Sequence, residues 1–185
     1  MYYDINKIID NIKSINKERV VIVIEGNSGS GKTTLANKLS LILNCDIIHM
    51  DDFYLCYDPS LDFNNNVNGN INYSRFKEEI INSLNKNKFE YNMFSCKEQK
   101  LISKKIVNFN KYLIIEGSYS LNPILNKYYD YSIFLDESKD IQEKRLKEKE
   151  KDNYFNFINK WVKLENNYFN YYKIKENVNI VIKIL

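Results

Sequence analysis

Ile5, Ile8, Ile9, Ile12 and Ile15 recur at three- and four-residue steps near the start of the chain. That spacing puts them on one face and predicts an amphipathic N-terminal helix. The pattern then changes. Arg19 to Glu25 (RVVIVIE) is a β-branched run without alternation, as expected of a strand covered on both faces of a parallel sheet. Four more short apolar runs predict strands: Cys45 to Met50, Lys111 to Glu116, Tyr131 to Leu135 and Val178 to Leu185. Helical spacing returns between them, in Lys32 to Leu43, Ser74 to Leu84, the very polar Ser138 to Lys151 and the aromatic-rich Phe155 to Tyr172. Residues 55–72, with Pro59, Gly69 and many Asn, predict a loop, and Phe89 to Val107 a small hairpin outside the main sheet. Strands alternating with helices predict a three-layer α/β fold with a five-stranded, mostly parallel sheet. No repeat or linker interrupts the pattern, so residues 1–185 are expected to form a single domain with a helical lid at about 138–153.

Composition narrows the partners. The chain has 185 residues, of which 44% are hydrophobic, enough for a buried core. Twenty-seven basic residues against 24 acidic ones give a net charge of only +3, so general nucleic-acid binding is not expected. Cys45, Cys56 and Cys96 lie far apart, in no C-x-x-C or His/Cys cluster, and predict neither a zinc site nor a disulfide framework. The N-terminal segment lacks an apolar signal region, and no apolar run approaches the roughly 18–20 residues of a membrane helix, so a soluble cytoplasmic protein is expected.

Only five glycines occur, and three of them, Gly26, Gly29 and Gly31, fall within six positions. They belong to Gly26-Asn27-Ser28-Gly29-Ser30-Gly31-Lys32-Thr33, a complete G-x-x-x-x-G-K-[ST] between a predicted strand and a predicted helix. Glycine lets successive N–H groups converge on one concavity, and the helix N-terminus adds partial positive charge, so the loop suits phosphate. Lys32 can reach the β- and γ-phosphates, the Thr33 hydroxyl can bind Mg²⁺, and Thr34 is an α-phosphate contact. The fold expected is therefore that of the P-loop NTPases.

Asn126-Lys-Tyr-Tyr-Asp130 is one residue too long for the guanine-reading N-K-x-D, and no D-x-x-G switch accompanies it. A GTPase is not expected, nor is an ATP-driven motor, whose second motif would be a strand ending in Asp-Glu where the third predicted strand here ends in Glu116 alone. The second predicted strand ends His49-Met50-Asp51-Asp52-Phe53-Tyr54. The carboxyl ends of the strands line the ligand crevice of such a sheet, so one of Asp51 and Asp52 faces the γ-phosphate and can serve as a kinase base. Neighbouring residues of an extended chain point opposite ways, which leaves only one of the two in place.

GNSGSGKTT, HMDDFY and IIEGSYS, taken in order with GNINYSRF, FEYNMFSC, NKYYDYSIFLD and W-x-x-x-E-x-x-YF, resemble the uridine kinase-like P-loop kinases, especially a compact bacterial group. The resemblance covers roughly residues 20–175. It implies that Asp51 is the general base, that Tyr54 lies beside the substrate, and that Glu116 holds Mg²⁺ together with Thr33. It further implies that Arg145 is a lid cation on the triphosphate, with Lys149 one helical turn on where the family often has a second Arg. The implied activity is ATP- and Mg²⁺-dependent phosphorylation of a hydroxyl on a nucleoside, uridine or cytidine. A kinase for a sugar or vitamin precursor and a non-catalytic nucleotide-binding regulator are the alternatives, and the oligomeric state is left open.

Two departures from the family pattern concern the acceptor. Asn72 and Ser95 stand where similar proteins often carry an acid. Either can still hydrogen-bond a hydroxyl, less strongly than a carboxylate. Arg75, Tyr91 and Phe94 are further candidates for the acceptor region, beside surface and hairpin-core roles. His49, the one histidine, is expected to be structural. Trp161, Glu165, Tyr168 and Phe169 share a helix face expected to pack on the sheet, with acceptor-pocket lining as the alternative.

Overall fold

The computed structural model describes residues 4–56 and 67–184. Helix α1 (Ile5–Lys13), capped by the Asp4 carboxylate, leads into β1 (Val20–Gly26). The phosphate loop follows, then α2 (Lys32–Leu43), β2 (Ile47–His49) and a 3₁₀ turn (Met50–Phe53). Helix α3 (Tyr73–Glu79) precedes an antiparallel hairpin of β3 (Lys88–Ser95) and β4 (Lys100–Asn108). Next come β5 (Tyr112–Glu116), β6 (Tyr131–Glu137), α4 (Lys139–Glu150) and α5 (Tyr154–Asn156). A π-helical turn (Phe157–Val162), α6 (Lys163–Tyr171) and β7 (Ile180–Ile184) complete the order.

The main sheet runs β2-β5-β1-β6-β7, and every neighbouring pair is parallel. All seven residues of β1, the central strand, are buried, which is why that segment shows no alternation. Val20, Ile22 and Ile24 pack with Leu35 and Leu39 of α2 and with Ile8 and Ile12 of α1. Val21 and Val23 face the other side, toward Phe53, Phe76, Tyr91, Tyr119 and Tyr168. The three layers are thus α1 and α2, the sheet, and a second side built from α3, the hairpin and α6. A smaller core of Leu146, Tyr154 and Val162 joins α4 to the C-terminal helices.

Several boundaries differ from the pattern. The second strand is only Ile47–His49, because Met50 is fully buried and the chain turns there into a 3₁₀ segment. The helix expected from Ser74 to Leu84 ends at Glu79 and continues as a 3₁₀ turn. The aromatic helix is interrupted by the π turn. The hairpin lies outside the main sheet, as the sequence suggests. Of the loop expected over 55–72, residues 57–66 lie outside the described residues, as does residue 185 of the fifth predicted strand; across the loop Tyr54 and Ile71 form an antiparallel bridge. Asn126–Tyr128 is a 3₁₀ turn, and Asp130 accepts from the Val21 N–H at 2.8 Å, so this segment serves to dock β6. Among the described residues no helix is long and apolar enough to cross a membrane.

Candidate active site

β1 and β5 are neighbours and both end in a glycine turn at the same edge of the sheet, so their loops flank one cavity of about 710 Å³. Gly26 closes β1 at φ +154°, and a Cβ there would lie 2.3 Å from the Leu135 carbonyl oxygen, so only glycine lets the loop leave the sheet so close to β6. Gly31 caps α2 without a side-chain bond, which leaves the first N–H groups of the helix turned toward the loop. Lys32 Nζ donates to Gly26 O at 2.9 Å and Asn27 O at 3.0 Å, so the ammonium is held across the loop. Asn27 and Ser30 are buried, while Ser28, Gly29, Gly31, Lys32, Thr33 and Thr34 line the cavity.

Thr33 and Glu116 meet: Thr33 Oγ1 donates to Glu116 Oε1 at 3.2 Å. The same carboxylate oxygen lies 2.6 Å from His49 Nδ1, whose residue is the strand partner of Glu116 in the β2–β5 ladder. A hydroxyl and a carboxylate on hard oxygen atoms suit Mg²⁺, which uses few protein ligands and takes the rest from water and phosphate. Among the described residues no cluster of three or more His, Cys, Asp or Glu side chains exists, so a wholly protein-built metal cage is absent there.

The structure separates the two aspartates. Asp51 lines the cavity beside Tyr54, whereas Asp52 is buried and accepts from the Tyr91 hydroxyl at 2.7 Å. Crowding by protein raises the Asp51 carboxyl above the usual carboxylate range; nearby Glu116 adds to the rise, while Lys32, Lys149 and His49 oppose it. A base with a raised pKa in a cleft is what proton abstraction from an alcohol needs.

The lid distributes its cations differently from the expectation. Arg145 Nη1 donates to Gly29 O at 3.1 Å and pairs with the buried Glu137, gripping the outside of the phosphate loop. Gln142 Nε2 donates to Ser28 O at 3.0 Å from the same helix. Lys149, one turn further on, is the lid cation that lines the cavity.

The remaining acceptor candidates are scattered. Asn72 caps α3 by accepting from Arg75 N at 3.0 Å. Arg75 lies over the Phe53 ring, 4.3 Å from its centroid, and donates to Asn92 O at 2.7 Å and to Asp52 O. Tyr91 and Phe94 are buried, with Tyr91 stacked on Phe53. Of Tyr54, Asn72, Arg75, Tyr91 and Phe94, only Tyr54 lines the cavity. Its far wall comes from the C-terminal helices instead. Phe157 and Trp161, set on the π turn, line it with Glu165, while Tyr168 and Phe169 of the same predicted face are core. The Glu165 carboxylate accepts from Ser28 N (2.9 Å), Ser28 Oγ (2.6 Å) and Ser118 Oγ (2.5 Å). Its place in a helical motif was visible in the sequence; its reach to the phosphate loop, 137 residues away, was not.

No protein-family model matches the chain. It is 30% identical over 110 residues to the cytidylate kinase of Mesoplasma florum, covering 52% of this chain and 44% of that protein. It is 29% identical over 120 residues to uridine-cytidine kinase D of Dictyostelium discoideum, covering 63% of this chain and 23% of that one. The chain thus spans less than half the length of these curated relatives. A solved structure described as a possible uridine kinase from Bacillus stearothermophilus superposes with a TM-score of 0.76, at 23% identity and over 96% of both chains. The fold is the three-layer α/β P-loop fold, built around a parallel sheet. Within that class the chain is similar to the uridine kinase-like proteins.

Proposed function

We propose that this protein is an ATP- and Mg²⁺-dependent kinase that phosphorylates a hydroxyl of a nucleoside, uridine or cytidine. The observation that carries the reading is the placement of Asp51 in the same cavity as Lys32, Thr33 and Glu116, with its twin Asp52 buried away from it. An acceptor hydroxyl beside Asp51 would lose its proton to the carboxylate as its oxygen bonds to the γ-phosphorus and the bond to the β-phosphate oxygen breaks, releasing ADP. The loop amides and Lys32 hold the phosphates in line, and Lys149 adds charge from the lid. Thr33 and Glu116 would hold Mg²⁺, which when bound neutralises charge on the β- and γ-phosphates.

The aromatic wall of Tyr54, Phe157 and Trp161 supports a planar acceptor, and the relatives' names point the same way. A panel of nucleosides, sugars and vitamin precursors incubated with ATP and Mg²⁺, scored for phosphorylated product by mass spectrometry, tests this. Phosphorylation of uridine or cytidine is expected. Reaction with non-nucleosides alone would overturn the acceptor, and tight ATP binding without any phosphorylated acceptor would overturn the kinase.

A further inference from the structure

Glu165 is a buried carboxylate that accepts three hydrogen bonds, and every donor belongs to the phosphate loop or to the turn after Glu116. Ser28 contributes both its backbone N–H and its hydroxyl, and Ser118 follows Gly117 directly beyond the metal-site Glu116. A concavity of backbone N–H groups at a strand-to-helix turn takes anions, and a carboxylate is such an anion. Of the acids lining the cavity, Asp51 and Glu116 are those proposed above as base and metal ligand. The third, Glu165, has neither role.

We infer that the Glu165 carboxylate holds the place of the terminal phosphoryl group, so that this residue sets how strongly the site prefers ATP over ADP. This rests on the nucleotide site proposed above. Ser28 is the third residue of the loop and lines the same cavity as Ser118, Asp51 and Glu165, where the acceptor is proposed to bind. A γ-phosphoryl group there competes with Glu165 for the same N–H and hydroxyl and meets its negative charge. ADP ends one group earlier and leaves the contact in place. Wild-type protein therefore gives up part of the binding contributed by the γ-phosphate in order to break the Glu165 contacts.

A bracing role and a phosphate-mimicking role for Glu165 predict opposite signs. If Glu165 only braced the fold, removing its charge would loosen the phosphate loop and weaken both nucleotides. If it stands in for phosphate, Glu165→Gln removes the competing charge while keeping the side-chain volume. ATP then binds about fivefold tighter or more while ADP changes less than about twofold, the scale of one charge-assisted hydrogen bond. Calorimetric titration of wild type and Glu165→Gln with ATP and with ADP, in Mg²⁺, reads this without any acceptor. Ser118→Ala, which removes one of the donors holding Glu165, is expected to shift ATP in the same direction by a smaller factor, and it decides the matter should Glu165→Gln fail to fold. Unchanged or weaker ATP binding, or an equal gain for ATP and ADP, would overturn the inference. Binding of neither nucleotide by the wild-type protein would overturn the nucleotide site as well. A selective ATP gain with no acceptor phosphorylated would leave the inference standing and defeat only the kinase.

Discussion

His49 and Glu116 sit opposite each other on neighbouring strands, with Nδ1 of the histidine 2.6 Å from the carboxylate that also accepts from Thr33. A residue expected to be structural thus orients the carboxylate proposed for Mg²⁺. Removing a group that hydrogen-bonds a metal ligand typically changes metal affinity by about 10–100-fold. His49→Ala is expected to raise the Mg²⁺ concentration needed for half-maximal phosphoryl transfer by about tenfold, at the low end of that range, with little loss at saturating Mg²⁺. A Mg²⁺ titration of turnover measures this, and an unchanged midpoint would remove His49 from the site.

Asp51 and Asp52 should respond in different ways. Asp51→Ala is expected to lower turnover by roughly 10²–10⁴ with ATP binding retained, as removal of a general base does. Asp52→Asn should retain most turnover and cost about 1–3 kcal/mol of stability through the buried Tyr91 contact. Because crowding by the surrounding protein and the charge on Glu116 raise the Asp51 carboxyl, the base becomes competent only as pH rises through that raised value. The acid limb of kcat/KM should therefore lie above the ordinary 3.8 of an aspartate.

Glu25, the residue before the phosphate loop, is fully buried and pushed up to about 8 by that burial. Hydrogen bonds from Leu121 N, Tyr168 OH and Tyr119 N oppose the rise, as does the charge on Lys32. An unperturbed glutamate titrates at 4.5, so between 4.5 and about 8 the folded state keeps a proton that the unfolded chain has released. Its contribution to stability is complete below the lower value and is lost as pH rises through the upper one, a change on the order of a few kcal/mol. Glu25→Gln should flatten the fall in Tm across that window; an unaltered slope would assign the pH dependence elsewhere.

Arg145 and Lys149 should separate stability from binding. Glu137 has a fully buried side chain, and Arg145 is its ion-pair partner. Arg145→Ala is expected to destabilise the protein, toward the lower end of the roughly 3–5 kcal/mol seen when a buried charge loses its partner, because Arg145 is itself part-exposed. Lys149→Ala should leave Tm near wild type and raise KM for ATP several-fold. Thermal melts and ATP kinetics on the two variants check both halves.

Gly117 sets the loop that carries Ser118 away from Glu116. It has φ +136°, and a Cβ there would come within 2.8 Å of Met50 Cβ. Gly117→Ala is expected to displace Glu116 and lower both stability and Mg²⁺-dependent turnover, with a destabilisation of about 1–3 kcal/mol in thermal melts.

The parts legible in the sequence are those set by local chemistry. Buried strands such as Val20–Gly26 announce themselves by unbroken β-branched runs, and the phosphate loop by a motif whose glycines have a geometric task. The structure's assignments of neighbours were not legible, because they depend on contacts across the fold. Met50 turning into the core moved Asp51 from a strand end onto a 3₁₀ turn, and the π turn aimed Phe157 and Trp161 into the cavity. A helix face shows which residues are side by side, but not that Arg145 grips the loop exterior while Lys149 faces the cavity. Arg75 carries the charge of a substrate ligand and is occupied by Phe53 and by backbone carbonyls.

Phosphoryl transfer in this protein is proposed to depend on Asp51. The most direct measurement is the rate at which label passes from γ-labelled ATP to uridine or cytidine, in wild type and Asp51→Ala, with ATP affinity measured alongside. Wild type should form labelled nucleoside monophosphate, and the variant should bind ATP normally yet form product at least about a hundredfold more slowly. Equal rates in the two proteins, or ATP binding with no labelled product in wild type, would contradict the account.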